Sequence, residues 1–305
     1  MNHPAASGRD VFAVGNDQAR YYAAPSVTSD LSRQAAALRL LPGTPAEAGR
    51  WARNAVLHVQ DVARAGLAMD ADRIEDFRTR SASAIVERVL TRDGAPLSAR
   101  REPVARMTGG CYHFSLLACA FLRHTGVPAR LRYGFAPYLK PGMYEDHCIV
   151  EVLLGGRWRR FDPRYALEVD DDDPKTFLGG ADAWRMCRSG GVDPDLFGTD
   201  DMLSDAQARG IWYVRNNLVR DFASLCKVEL HPWDWWGLMT AQEDERPDSL
   251  IDELAALMLD DGAWADRAAR FEIDPLLRPG AKVAVFGELG DVFREAGEVV
   301  LPWNW

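Results

Sequence analysis

Between Gly109 and Asp162 the chain carries a pattern that few folds can accommodate. Gly109-Gly110 opens a helix, Cys111 to His124, whose Phe114, Leu116, Leu117, Cys119, Phe121 and Leu122 cover most of its circumference. A helix apolar almost all round is buried rather than laid on a surface. Thr125-Gly126-Val127-Pro128 ends it, with the glycine placed for a left-handed cap and the proline just beyond. Ala129, Leu131, Tyr133 and Phe135 then alternate with Arg130, Arg132 and Gly134, which is the period of a strand. A second strand, His147 to Leu154, turns at Gly155-Gly156 and returns through Arg157 to Asp162. A buried helix feeding an antiparallel meander predicts an α+β fold and excludes a doubly wound sheet.

The flanks read as mostly helical. Thr44-Pro45-Ala46-Glu47 is a helix start with threonine as N-cap and a returning glutamate, and the helix is expected to run to about Ala65, burying Trp51, Ala55, Val56 and His58 or their neighbours. Ile74, Phe77, Ile85, Val86 and Val89 predict a second helix over 71–90. The first forty residues show no strong period beyond a short apolar stretch at Ala35 to Leu41. After Pro163, one helix is marked by Ile211, Val214, Leu218, Phe222 and Leu225, another starts at Ser249, and Val283 to Phe286 and Val299 to Leu301 are short strands. The 305 residues allow two domains or one core with large additions. The expected division is a helical region over 1–100, a catalytic core over 101–165 and a mostly helical region over 166–305 packing on that core.

Charge and cysteine content narrow the function classes. The formal charge of −9 offers no basic footprint for nucleic acid or an anionic membrane, so neither is expected as a partner. The longest apolar run, Leu116 to Leu122, is far short of a membrane span, and the first ten residues lack a secretory apolar stretch, so a cytoplasmic protein is expected. Five cysteines without a Cys-x-x-Cys pair argue against a disulfide framework or a thiolate zinc site.

Cys111 is the cysteine best placed for chemistry. It follows two glycines and sits in the first turn of a helix, where free N–H groups and the positive dipole end stabilise a thiolate. Cys119, inside the apolar helix, reads as a small core hydrophobe. The hairpin supplies the second piece. With Gly155 and Gly156 as the turn, Leu154 pairs with Arg157, Ile149 faces Asp162, and His147 emerges on the same face as Asp162 as its diagonal neighbour. Asp162 is then positioned to accept a hydrogen bond from the imidazole, fixing its tautomer and stabilising its cation.

Gly109-Gly110-Cys111-Tyr112-His113-Phe114, Leu122-Arg123-His124-Thr125-Gly126-Val127-Pro128-Ala129-Arg130, Tyr144-Glu145-Asp146-His147 and Trp158-Arg159-Arg160-Phe161-Asp162-Pro163 together resemble the transglutaminase-like superfamily. The aromatic-rich segment Arg209 to Met239 also resembles bacterial proteins of that group. The resemblance implies a papain-like core with a Cys-His-Asp triad: Cys111 as nucleophile, His147 as general base and acid, Asp162 as the orienting carboxylate. It implies cysteine-dependent acyl transfer through a thioester, with an amide, ester or thioester donor and a water or amine acceptor, peptide- or carrier-bound forms included. No cofactor or metal is expected. Many bacterial members carry Cys-Arg-Asp-Phe where this chain has Cys111-Tyr112-His113-Phe114. His113 points about 200° from Cys111 on a helix, so a structural role is expected of it. No second oxyanion donor beside the Cys111 N–H is assignable from the sequence.

Other readings are weaker. Asp170 to Asp173 lacks the spaced ligands of an EF-hand and reads as a solvated acidic loop. Gly287-Glu288-Leu289-Gly290 is no dinucleotide fingerprint. Trp233, Trp235 and Trp236 read as core or lid packing before they read as an acyl pocket. The alternatives to acyl transfer are a peptidase or amidase, a non-catalytic binding module that keeps the fold, and a metal site on Cys111, His113 and His147.

Overall fold

A computed structural model describes residues 15–38, 43–169, 176–199, 208–239, 248–285 and 298–302. The acidic run at 170–173 and the Gly287–Gly290 segment lie outside these residues, as does Phe286 of the expected strand. In chain order the elements are α1 (Asn16–Ala23), α2 (Pro45–Ala55), β1 (Val56–His58), α3 (Ala71–Phe77), α4 (Ala82–Arg92), β2 (Met107–Gly109), α5 (Cys111–His124), β3 (Ala129–Ala136), β4 (Tyr144–Leu154) and β5 (Arg157–Asp162). They continue as β6 (Leu167–Val169), β7 (Leu178–Gly179), α6 (Gly180–Arg188), β8 (Phe197–Gly198), α7 (Ile211–Leu225), β9 (Asp234–Trp235), α8 (Asp248–Leu259), α9 (Trp264–Ile273), β10 (Lys282–Val285) and β11 (Glu298–Val300). The fold is α+β.

The central sheet runs β6-β5-β4-β3-β7, antiparallel throughout, and β8 joins β4 in parallel. Its β4–β5 hairpin has the register expected from the glycines: Leu154 pairs with Arg157 and Val150 with Phe161. Gly155 and Gly156 both have positive φ, +59° and +80°, the geometry a two-residue turn needs to match strand twist. The buried α5 packs on one face with β3, β4, α2 and α4; Leu131, Tyr133, Cys148, Val150 and Val152 contribute the sheet's share of that core.

The opposite face differs from the half-exposed strand that the alternation suggests. Every residue of β3 is buried, the arginines included. Arg130 and Arg132 donate to Glu151 at 2.7 and 2.8 Å, Arg160 joins at 3.2 Å, and Arg132 also donates to Asp221 of α7 at 2.9 Å. Helix α7 covers the outer edge of β3 as well. Asp221 accepts the Tyr133 N–H at 2.9 Å, and Ser224 donates to the Leu131 carbonyl at 2.9 Å, so the edge left bare by the short β7 is satisfied by side chains. Behind α7, helices α6 and α8 complete a second apolar core with Trp184, Phe222 and Leu254.

Two expected helices end early. The one opened by Thr44, whose side chain accepts the Glu47 N–H, stops at Ala55 instead of near Ala65. Val56, Leu57 and His58 leave it to pair in parallel with Met107, Thr108 and Gly109. The expected 71–90 helix is two, α3 and α4, interrupted where Arg80 makes a two-pronged ion pair with Asp234 and Ser81 caps the second helix through the Ala84 N–H. Helix α1 occupies a stretch where the sequence shows no strong period.

Candidate active site

Cys111 is the first residue of α5 and is half-buried. The turn before it is held from three sides. His113 accepts the Gly110 N–H on Nδ1 at 2.9 Å and donates from Nε2 to the Thr79 carbonyl at 3.1 Å. Tyr112 donates to the carbonyls of Arg80 and Glu229 at 3.0 and 3.2 Å. Ser115, one turn on, donates to the Cys148 carbonyl at 2.7 Å and ties the helix to β4 beside His147. Burial holds the His113 imidazole neutral, pushing its pKa down to about 3. His113 is thus a structural residue, and with both ring nitrogens committed to backbone groups it does not serve a metal shared with Cys111 and His147. Among the described residues no group of three or more His, Cys, Asp or Glu side chains is arranged to hold an ion.

The structure brings the three sequence-derived residues together. His147 Nε2 lies 2.7 Å from Asp162 Oδ2, and His147 also hydrogen-bonds the Cys111 side chain. Since Nε2 faces the carboxylate, Nδ1 is the nitrogen left for sulfur. Asp162 Oδ2 further accepts from the Tyr138 hydroxyl at 2.6 Å, and its Oδ1 accepts the N–H groups of Arg164 and Tyr165 at 2.9 and 3.2 Å. Four donors therefore fix one buried carboxylate. Burial alone would lower the His147 pKa, but Asp162 and the hydrogen-bonded Cys111 raise it to about 10. Burial likewise opposes ionisation of Asp162, and the His147 cation with the surrounding donors outweighs it, leaving that carboxyl below its ordinary value.

Both shifts make the stability of the fold depend on pH. The His147 contribution is complete below its ordinary value of 6.5 and is lost as pH rises toward and through about 10. The Asp162 contribution is present above the ordinary 3.8 and is lost as pH falls through the depressed value. Asp162→Asn is expected to lower the His147 midpoint by roughly 1–3 units, the weight of one close opposite charge. With six histidines in the chain, an NMR titration assigned through His147→Gln reads it directly. An unchanged midpoint would show that the carboxylate does not hold the proton on the ring.

A pocket of about 200 Å³ opens at Cys111 and His147, walled in part by His58, Gln60, Tyr165 and Trp233. Two of these walls, His58 and Tyr165, escape sequence reasoning, as does Tyr138 beside Asp162. His58 reads as one more residue of the first helix; in the fold it ends β1 opposite Gly109, two residues before the cysteine. Its Nδ1 accepts the Gln60 N–H at 3.3 Å, and burial, aided by the Arg164 and His147 charges, keeps the ring neutral, so Nε2 carries the hydrogen. Tyr138 and Tyr165 edge the His147 ring with centroids 6.2 Å away, and neither sits in a local pattern that marks it. Of the tryptophans, Trp233 lines the pocket, whereas Trp235 and Trp236 pack with the C-terminal core.

Residues 67–163 match the model of the Transglutaminase-like superfamily, a span that includes Cys111, His147 and Asp162. The chain contains a transglutaminase-like domain. A crystal structure of a candidate cysteine protease from Cytophaga hutchinsonii aligns at 18% identity and a TM-score of 0.35, over 54% of this chain and 46% of that one. The chain thus spans under half the length of that protein, and the likeness is too loose to carry fold or activity across. A search of curated proteins returns no match. Among the described residues, no helix is long and apolar enough to cross a membrane.

Proposed function

We propose that the protein is a cysteine acyl-transfer enzyme working through a thioester on Cys111, with His147 and Asp162 as its partners. The observation that carries the reading is the continuous hydrogen-bonded line from Cys111 through His147 to Asp162 at the mouth of a pocket. His147 takes the Cys111 proton and, with a pKa near 10, keeps it at neutral pH. The thiolate attacks the carbonyl carbon of an amide, ester or thioester donor. The oxygen becomes an oxyanion, met by the Cys111 N–H at the start of α5 and by His58 Nε2–H. The bond to the leaving group breaks as His147 gives that group its proton. A water or an amine then surrenders a proton to His147, attacks the thioester carbonyl, and the sulfur departs as thiolate. Water yields hydrolysis and an amine yields a new amide; the donors allowed include peptide- and carrier-bound forms.

Acyl-Cys111 is expected on mass spectrometry after brief mixing with activated acyl esters and acid quench, with the acyl mass mapped to the peptide that begins α5. His58→Phe is expected to slow that acylation by roughly 10²–10³. It should leave alkylation by iodoacetamide unchanged, because that displacement forms no oxyanion. Acylation at another residue, or none, would count against the thioester. Equal slowing of both reactions would remove His58 from the oxyanion site.

A further inference from the structure

Next to the Cys111 pocket lies a larger cavity of about 440 Å³, and the two share His58, Gln60, Arg164 and Tyr165 as common wall. The second cavity is lined by four arginines, Arg53, Arg64, Arg106 and Arg164, against one acidic residue, Asp61. This concentration of positive charge stands out on a chain whose formal charge is −9.

The arginines are held in place largely by neutral acceptors. Arg53 donates to the Pro163 carbonyl. Arg106 donates from Nε and Nη2 to the Arg101 carbonyl at 2.9 and 2.6 Å. Arg164 donates to Gln60 Oε1 at 3.0 Å and lies over the Tyr165 ring, 4.7 Å from its centroid. Among the described residues only Arg64 of the four has a carboxylate within salt-bridge distance, Asp61 at 2.8 Å, and that pair is at the exposed rim. Asp162, the buried carboxylate whose charge acts on Arg53, is hydrogen-bonded to His147 and lies outside salt-bridge distance of the four. Neutral acceptors orient a guanidinium without cancelling its charge, and the guanidinium fork matches the oxygens of carboxylate and phosphate. Burial disfavours the charge on Arg53 and Arg106; Asp162 and Glu102 offset this only in part while Arg50 and Arg100 add to it, and a bound anion would relieve both.

We infer that this arginine-lined cavity is a subsite for an anionic group, a carboxylate or a phosphate, carried by the substrate whose carbonyl is presented to Cys111. The inference rests on the reading of Cys111 as nucleophile. It adds that this substrate bears an oxyanion a short chain away from its reacting carbonyl, and that the shared wall of His58, Gln60, Arg164 and Tyr165 is the path between the two.

The test needs no knowledge of the natural substrate. Cys111 is alkylated with a ladder of N-iodoacetyl ω-amino acids of increasing chain length, with the matching aminoalkyl phosphates, and with neutral methylamide counterparts. An anionic tail of the right length is expected to label Cys111 about tenfold faster than its neutral counterpart. Arg64→Gln combined with Arg106→Gln should bring that ratio close to one without changing the neutral rate. Arg64 is exposed, so Arg64→Gln alone tests the effect in a folded protein, and Arg106→Lys should keep most of the preference. Faster labelling by phosphate tails would assign a phosphate ester, and by carboxylate tails an acid; either outcome supports the subsite. Equal rates for anionic and neutral tails at every length, or a preference that survives the double substitution, would overturn it. If every reagent fails to label Cys111, the nucleophile reading itself falls, and the subsite with it.

Discussion

Replacing Cys111 by alanine is expected to abolish turnover and thiol labelling together while leaving the protein folded. The side chain is half-buried at a helix start and its packing share is small, so the melting temperature should move by no more than about 2 °C. The chemical loss is complete because no neighbouring group replaces sulfur as the nucleophile. The labelling readout is clean for a physical reason. Burial pushes the Cys119 and Cys226 thiols up to about 12 and Cys187 to about 11, and Cys148 lies well above its ordinary value for the same reason. Near pH 7.5 a single site should therefore take iodoacetamide in the native protein, and Cys111→Ala should take none. Undiminished turnover in that variant, or reagent uptake at another cysteine, would refute the assignment.

The largest effect on stability is expected at Glu151, far from any reacting atom. Its carboxylate is buried and accepts from Arg130, Arg132 and Arg160, and these charges hold it well below the ordinary range despite the burial. Glu151→Ala would remove the carboxylate shared by three guanidinium groups on the covered face of the sheet, leaving Asp221 to Arg132 and the exposed Asp261, 3.4 Å away, to Arg130. Removing one partner of a buried charge set costs about 3–5 kcal/mol, a large share of the roughly 5–15 kcal/mol that keeps a domain folded. Urea denaturation would read it as a lower midpoint at an unchanged slope. Glu151→Gln, which keeps an acceptor but no charge, should lose less. A loss under about 1 kcal/mol in the alanine variant would mean that these charges are solvated and that the sheet does not depend on α7 to cover them. Because Glu151 and His147 lie on the same strand, partial loss of this face should also blur the site.

Some of the structure is legible residue by residue. The β4–β5 register follows from two glycines, and with it the meeting of His147 and Asp162, because a two-residue turn leaves a single way to align the strands. The buried α5 is readable for a similar reason: six apolar side chains distributed round a helix have no solvent-facing side. The early end of α2 is not readable. Local propensity favours continuation past Ala55, and the competing gain is a pairing of Val56–His58 with Met107–Gly109, some fifty residues away. The arginines of β3 mislead in the same way. Alternation of charge with apolar residues reports one wet face unless something distant supplies the counter-charge, and here Glu151 and Asp221 do so.

By itself the sequence determined the α+β class, the helix that carries Cys111 and the hairpin that aligns His147 with Asp162, because each depends on period, punctuation or turn length within a few dozen residues. Only the tertiary structure decided what surrounds them. His58 reaches the pocket through a parallel pairing, Tyr138 reaches Asp162 across 24 residues of chain, and four arginines from separate segments meet in one cavity. Contacts of that kind have no periodic trace in the chain, since their free energy comes from charges and donors that meet only once the sheet and its covering helices are packed.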